Sequence, residues 1–321
     1  MSRNILLHIL LLTLPFQIFS QASSRRKPAF TIVPLGVKGG MDESNLSAYM
    51  VAPLGQPNYV CLDAGTVYAG IQKAITRHTF NDTVGHILRR NIKGYLISHP
   101  HLDHVAGMIM DSPDDTAKTI YAMPYTLKVL EEKYFTWSAW ANFGDAGEMP
   151  RLKKYHYASL ETGLPTPLDG TNMQVQAFPL SHGEPYLSTA FLIRSGDAYL
   201  LYLGDTGADT IEHAGKLQQL WQVAGPLISS GQLHGIFIET SFPDQQPDKL
   251  LFGHLTPKLL MGELQHLAQI AGPSAMRDFP IVITHRKPSG QQENVIRREL
   301  QSYNPLHVKL IFPDQGVRLD L

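Results

Sequence analysis

The chain has 321 residues, 43% apolar and 17% charged, which is enough for one large hydrophobic core and one globular domain. Its 27 Lys and Arg against 28 Asp and Glu leave it close to neutral, which argues against gripping a nucleic-acid polymer and favours a small or lightly charged substrate. A single cysteine, Cys61, excludes any intramolecular disulfide.

The N-terminus reads as a targeting segment. Arg3 leads into an apolar stretch from Ile5 to Phe19, and Ser20-Gln21-Ala22 places small residues three positions and one position before a cleavage point after Ala22. His8, Thr13, Pro15 and Gln17 interrupt the stretch, which falls short of the ~20 mostly apolar residues that a bilayer-spanning helix needs. The expectation is a signal peptide over 1–22, an exported periplasmic or extracellular protein and no stable membrane anchor; an uncleaved anchor is the alternative.

Beyond it, strand-like runs are predicted at Phe30–Val33, Ala48–Val51 and Tyr59–Leu62, and the last of these places Cys61 as a small core hydrophobe. A helix follows at Ala69–Arg77 and a strand at Tyr95–Ser98, then the run His99-Pro100-His101-Leu102-Asp103-His104, after which Val105–Met110 can begin a short helix. Residues 111–170 are richer in turn formers and read as an irregular insertion over the site, apart from a helix at Pro124–Tyr134. Strands at Met173–Ala177, Ala190–Ile193, Tyr199–Leu203, Ile236–Glu239 and Ile281–Thr284 alternate with helices at Ala214–Val223, Pro257–Ile270 and Gln291–Tyr303. The mixture argues for sheets covered by helices in one domain spanning 28–321.

Three imidazoles and one carboxylate within six residues form a nitrogen and oxygen donor set suited to zinc, iron or manganese rather than calcium. Further donors are sought at strand ends, where a rigid scaffold holds functional loops. His182 in Pro179-Leu180-Ser181-His182-Gly183, Asp205 after the strand Tyr199–Leu203, and His285 after Ile281–Thr284 fit that position. His78, His86, His156, His213, His234, His266 and His307 are read as ordinary surface or core histidines.

Taken in order, Asp63, the His-x-His-x-Asp-His run, His182, Asp205 and His285 resemble the metallo-β-lactamase fold. The resemblance implies an α/β protein, an αββα sandwich of two mixed sheets flanked by helices. It also implies two divalent ions, zinc first and manganese or iron as alternatives. His99, His101 and His182 would bind one, Asp103, His104 and His285 the other, and Asp205 would bridge them. Such a pair can hold a bridging water as hydroxide near neutral pH, and Asp103 could orient it.

The longer run from His99 through Ser112 and Pro113 looks like the signature of class II 3′,5′-cyclic-nucleotide phosphodiesterases. Glu239-Thr240 and His254-Leu255-Thr256 are similar to a Glu-Thr and His-Leu-Thr pair in phosphodiesterase branches of the fold. The implied activity is hydrolysis of 3′,5′-cyclic AMP, with cyclic GMP as a second substrate, to the 5′-nucleotide. His254 would contact phosphate or protonate the leaving oxygen, Glu239 would set its orientation, and Thr256 would assist in binding. The aromatic run Tyr134–Phe143 could stack a nucleobase with Asn142 reading its edge, although packing explains those rings as well. A transfer-RNA 3′-processing or general phosphodiesterase of the same fold is the nearer rival, and a non-catalytic binding module the distant one.

Overall fold

The computed structural model describes residues 27–321; residues 1–22, where the sequence leads one to expect a signal peptide, lie outside them. Strands β1 (Phe30–Gly36), β2 (Ala48–Pro53), β3 (Tyr59–Leu62), β4 (Ile92–Leu96), β5 (Lys118–Ala122) and β6 (Tyr155–Ser159) build the first sheet. Strands β7 (Thr166–Leu168), β8 (Met173–Ser181), β9 (Leu187–Ser195), β10 (Ala198–Leu203), β11 (Leu233–Glu239), β12 (Pro280–Thr284) and β13 (Lys309–Ile311) build the second, and β14 (Leu319–Asp320) returns to β1. Both sheets are mixed: β3 to β6 run parallel beside antiparallel β1 and β2, and β10 to β13 run parallel beside antiparallel β7 to β9.

The period-two alternation of each strand splits its side chains between two cores. Ile32, Tyr49, Val51, Val60, Leu62 and Leu96 meet Val175, Phe191, Leu200, Tyr202, Phe237 and Val282 between the sheets. Val33, Met50, Cys61, Tyr95 and Ile120 face the opposite way, onto helices α1 (Tyr68–Thr76), α2 (Val84–His86) and α3 (Leu102–Asp111). Cys61 is fully buried, and burial pushes its thiol well above the ordinary range, so it packs rather than reacts.

After α4 (Pro124–Val129) and α5 (Asp209–Glu212), the outer face of the second sheet is covered by α6 (Lys216–Ser229), α7 (Pro257–Ala271), α8 (Pro273–Met276) and α9 (Gln292–Ser302). Leu217, Leu220, Trp221, Leu260, Leu264, Leu267, Ile296 and Leu300 pack there on Leu201, Leu203, Ile236, Ile238, Ile281 and Ile283. The order helix, sheet, sheet, helix is the αββα sandwich. No described helix is long and apolar enough to cross a membrane.

One expectation is corrected. Residues 111–170 are not a wholly irregular insertion, because β5 and β6 within them pair in parallel register and complete the first sheet. The long irregular stretch within them runs from 135 to 154, after a helical turn at Leu130–Tyr134 that continues α4, and it is anchored. Lys154 Nζ donates to the carbonyls of Ser112 and Pro113 at 2.7 and 2.8 Å, and Trp140 Nε1 donates to Ser112 Oγ at 3.0 Å. Ser112 Oγ also donates to Ile109 O at the end of α3, so the Ser112-Pro113 tail of the histidine run is a docking point for this loop.

Candidate active site

Parallel strands end on one rim, where their carboxyl ends open toward a shared crevice. Asp63 follows β3, His99 follows β4, Asp205 follows β10, Glu239 ends β11 and His285 follows β12. The step from β4 to α3 carries the histidine run. His101 is the residue before the helix, while Asp103 and His104 occupy its first turn. The helix buries His104, Val105, Met108 and Ile109 at helical spacing and leaves Leu102 and Met110 to solvent. His182 comes from the hairpin between β8 and β9.

Outer partners set the direction of each ring. His104 Nδ1 lies 2.7 Å from Asp63 Oδ2, His182 Nδ1 2.9 Å from Gly253 O, and His285 Nδ1 2.9 Å from Ser241 Oγ. Ser98 Oγ donates to Asp63 and so accepts from His99 Nδ1 at 3.0 Å. In all four, the outer partner occupies Nδ1 and leaves Nε2 facing the centre, the arrangement in which outer acceptors orient metal-binding imidazoles. His101 instead turns Nδ1 inward, 3.1 Å from His99 Nε2 and 3.4 Å from His182 Nε2.

The inward-facing donors converge in five sets whose atoms lie within 4.8 Å of one another: His99, His101 and His182; His99, His104 and Asp205; Asp103, His104 and His285; His182, Asp205 and His254; and Glu239, His254 and His285. Asp205 stands between them, 3.3 Å from His104 Nε2, 3.1 Å from His285 Nε2 and 3.8 Å from His99 and His182. His104 Nε2 is buried and has no hydrogen-bond partner, a cost the fold accepts only if something else fills the centre. A cation meets that need and suits the donor set.

The electrostatics agree. Burial, then the charge of His104, pushes His99 far below the ordinary imidazole value; burial, then His182, lowers His101 to about 4; burial also lowers His182. The trio is therefore neutral at pH 7, the state a ligand needs. Burial works to raise Asp103 and Asp205, yet the imidazoles of His104 and His285 hold both carboxyls below the usual range. Around Asp205 the chain has gathered more negative charge than it can neutralise without a proton on His104 or a cation in its place.

The backbone makes room for this. Asp63 at φ 52° and His285 at φ 49° take left-handed conformations that favour glycine, strain of the kind that clusters at functional sites. Gly39 has the His285 ring against it, with His285 Cε1 2.0 Å from where a Cβ would stand, and the next amide, Gly40 N–H, donates to Asp103 Oδ2 at 2.9 Å. Gly253, at φ 74°, lies so close to His182 that a Cβ would stand 2.2 Å from its carbonyl carbon.

Glu239 and His254 meet as expected: His254 Nδ1 is 2.8 Å from Glu239 Oε1 and 3.8 Å from Asp205 Oδ2. Glu239 is fully buried, and although burial raises its carboxyl, His254 brings it below the ordinary value. The amides of Thr206 and Leu255 and the hydroxyl of Ser241 also donate to it. Ser241 thus ties the Glu239 and His254 pair to His285, a link that sequence reasoning missed and that only its place in Glu239-Thr240-Ser241 could have suggested. Asp63 was seen through the resemblance alone, and the structure makes it a hub that accepts from Ser98 N, Ser98 Oγ, His104 Nδ1 and Tyr202 Oη at 2.6–2.8 Å.

One expected substrate contact is corrected, and a second residue is already engaged as a helix cap. Asn142 is fully buried, its amide donates to the carbonyls of Ala146 and Glu148, and its oxygen accepts from Gly144 N, so it has no edge left for a base. Thr256 is buried and its hydroxyl accepts from Leu259 N, capping α7. The aromatic run is mostly packing: Phe135 and Phe143 are buried, Tyr134 Oη donates to Pro100 O and Trp137 Nε1 to Pro150 O.

Residues 29–316 match the family of class-II cAMP phosphodiesterases. A 3′,5′-cyclic-nucleotide phosphodiesterase of Aliivibrio fischeri is 41% identical over 309 residues, covering 91% of this chain and 93% of the relative. The crystal structure of unliganded yeast PDE1 aligns with a TM-score of 0.80 at 21% identity, covering 92% of this chain and 100% of that one. The metallo-β-lactamase fold protein YhfI of Bacillus subtilis aligns at 0.60 with 15% identity, covering 91% and 99%. On an αββα sandwich of the metallo-β-lactamase type, the chain therefore belongs to the class-II cAMP phosphodiesterase family.

Proposed function

We propose that the enzyme hydrolyses 3′,5′-cyclic AMP, and cyclic GMP as a second substrate, to the 5′-nucleotide at a site loaded with two divalent ions, zinc first. His99, His101 and His182 would hold one ion, Asp103, His104 and His285 the other, with Asp205 shared. When bound, the ions supply a nucleophilic oxygen at neutral pH and neutralise the phosphoryl oxygens. The observation that carries the reading is the His254 and Glu239 pair, with His254 Nδ1 2.8 Å from Glu239 and 3.8 Å from the shared carboxylate.

A cyclic phosphodiester is an anion whose P–O3′ bond breaks as water oxygen joins phosphorus, and O3′ then needs a proton. Glu239 occupies His254 Nδ1, which leaves Nε2 to deliver that proton. Asp103, held by Gly40 N–H and His285, would orient the attacking water.

Incubating purified, zinc-loaded enzyme with cyclic AMP should give 5′-AMP, with no 3′-AMP, and lose that activity on chelation. Absence of metal-dependent 5′-AMP overturns the reading. Export is carried by the sequence of residues 1–22, and N-terminal sequencing of the enzyme from the periplasm or medium, expected to begin after Ala22, tests it.

A further inference from the structure

With Asn142 occupied inside its own loop, the nucleobase needs another partner; one exposed aromatic touches the histidine cage, and a second directly precedes the residue whose carbonyl orients His182. Tyr186 is 57% exposed, and its ring meets the His101 ring edge-on with centroids 4.9 Å apart. It ends the short turn that begins at His182, with Tyr186 N–H bonded to Gly183 O at 2.9 Å. Phe252 is 66% exposed and is held at φ 51°, a left-handed conformation that a bulky residue rarely adopts.

The two loops are packed together at the cage. A Cβ on Gly183 would stand 3.3 Å from the Phe252 carbonyl carbon, and the following residue, Gly253, supplies the carbonyl that orients His182. An apolar side chain shown to solvent at the cost of backbone strain, on a loop packed against the one whose ring touches a site imidazole, is a surface that awaits an occupant. The occupant must be small, because it has to reach the cage, and flat, because the exposed side chains on both loops are aromatic.

Building on the proposed cyclic-nucleotide activity, we propose that Tyr186 and Phe252 form the nucleobase subsite, stacking the purine while its cyclic phosphate sits at the cage. Stacking is tolerant of base identity because every base has a π face. The subsite therefore binds adenine and guanine alike, and it sets KM rather than the chemical step.

The test compares Tyr186→Ala, Tyr186→Phe and Phe252→Ala with the parent enzyme on cyclic AMP and on base-free 3′,5′-cyclic ribose phosphate, together with calorimetric binding of 5′-AMP to the zinc-loaded protein. The alanine variants should raise KM for cyclic AMP and Kd for 5′-AMP about tenfold, which corresponds to about 1.4 kcal/mol. Their kcat and their kinetics on the base-free diester should stay within about twofold, and Tyr186→Phe should behave as the parent.

Unchanged KM and Kd, or an equal loss on the base-free diester, would overturn the subsite. If the parent fails to cleave cyclic AMP yet the alanine variants still lose 5′-AMP binding, the activity is wrong and the subsite stands. Trp137→Ala serves as the control: its ring nitrogen holds Pro150 O, so it should leave the discrimination between the two diesters intact.

Discussion

Asp63→Asn should damage the centre without touching a ligand atom. The carboxylate is buried and accepts four hydrogen bonds, three of them on Oδ2, from Ser98 Oγ at 2.8 Å, His104 Nδ1 at 2.7 Å and Tyr202 Oη at 2.6 Å. The fourth, from Ser98 N at 2.7 Å, goes to Oδ1. An amide keeps only one acceptor oxygen, so either Ser98 N or the three donors must face an NH₂ group. One charge-assisted bond lost at ~1.5–3 kcal/mol and one buried donor left unpaired at ~1–3 kcal/mol give a cost of about 2.5–6 kcal/mol. At the usual slope for large domains, melting should fall by roughly 5–24 °C. His104 is also freed to carry its proton on Nε2, where it no longer offers a lone pair, so zinc affinity should fall about 10–100-fold. Differential scanning calorimetry with and without chelator, and zinc titration of the stripped protein, measure both effects. A variant that melts within two or three degrees of the parent and binds zinc equally well would refute the claim that Asp63 sets the His104 tautomer.

Three further outcomes are expected. His254→Ala should lower kcat about 10²–10⁴-fold with the metal content unchanged, whereas loss of metal would make His254 a ligand rather than an acid. Burial raises the carboxyl of Asp111 to about 6, with Asp115 and Asp114 adding to it against the Tyr68 amide. Its folded value exceeds the unfolded one, so the stability it contributes below about pH 4 is lost as pH rises through 6. Asp111→Asn should thus be more stable than the parent at pH 7.5 by ~1–2 kcal/mol and equal to it at pH 4, read by urea denaturation. Lys154→Ala, which loses two carbonyl contacts to Ser112 and Pro113, should cost ~1–3 kcal/mol in the same assay while leaving zinc stoichiometry untouched.

Much of the scaffold can be read from the sequence because its strands are strongly patterned. β3 coincides with the predicted Tyr59–Leu62, and the expected helix at Pro257–Ile270 ends one residue later, at Ala271. β4 is misplaced by a few residues, since β-propensity continues through Ile97 and Ser98 while the fold turns there to aim His99 inward. β5 and β6 escape notice because Lys118 and Thr119 look like surface residues. Lys118 is nonetheless buried in an ion pair with Asp115, which also accepts from Tyr95 and Tyr155.

The site divides in the same way. His-x-His-x-Asp-His is dense enough to reveal itself, and Asp205 and His285 follow from their places after strands. What no spacing reveals is where a polar side chain is already committed. Asn142 looks available in a row of aromatics, yet it closes its own turn; Ser241 looks incidental, yet it joins Glu239 to His285. Tyr186 stays hidden for the converse reason, because only the hairpin between β8 and β9 brings it to His101.

The most direct measurement is a calorimetric zinc titration of chelator-stripped protein, counting ions bound per chain. Convergence of His99, His101 and His182 on one side of Asp205 and Asp103, His104 and His285 on the other predicts two. One ion, or none, would contradict a shared carboxylate between two filled sites.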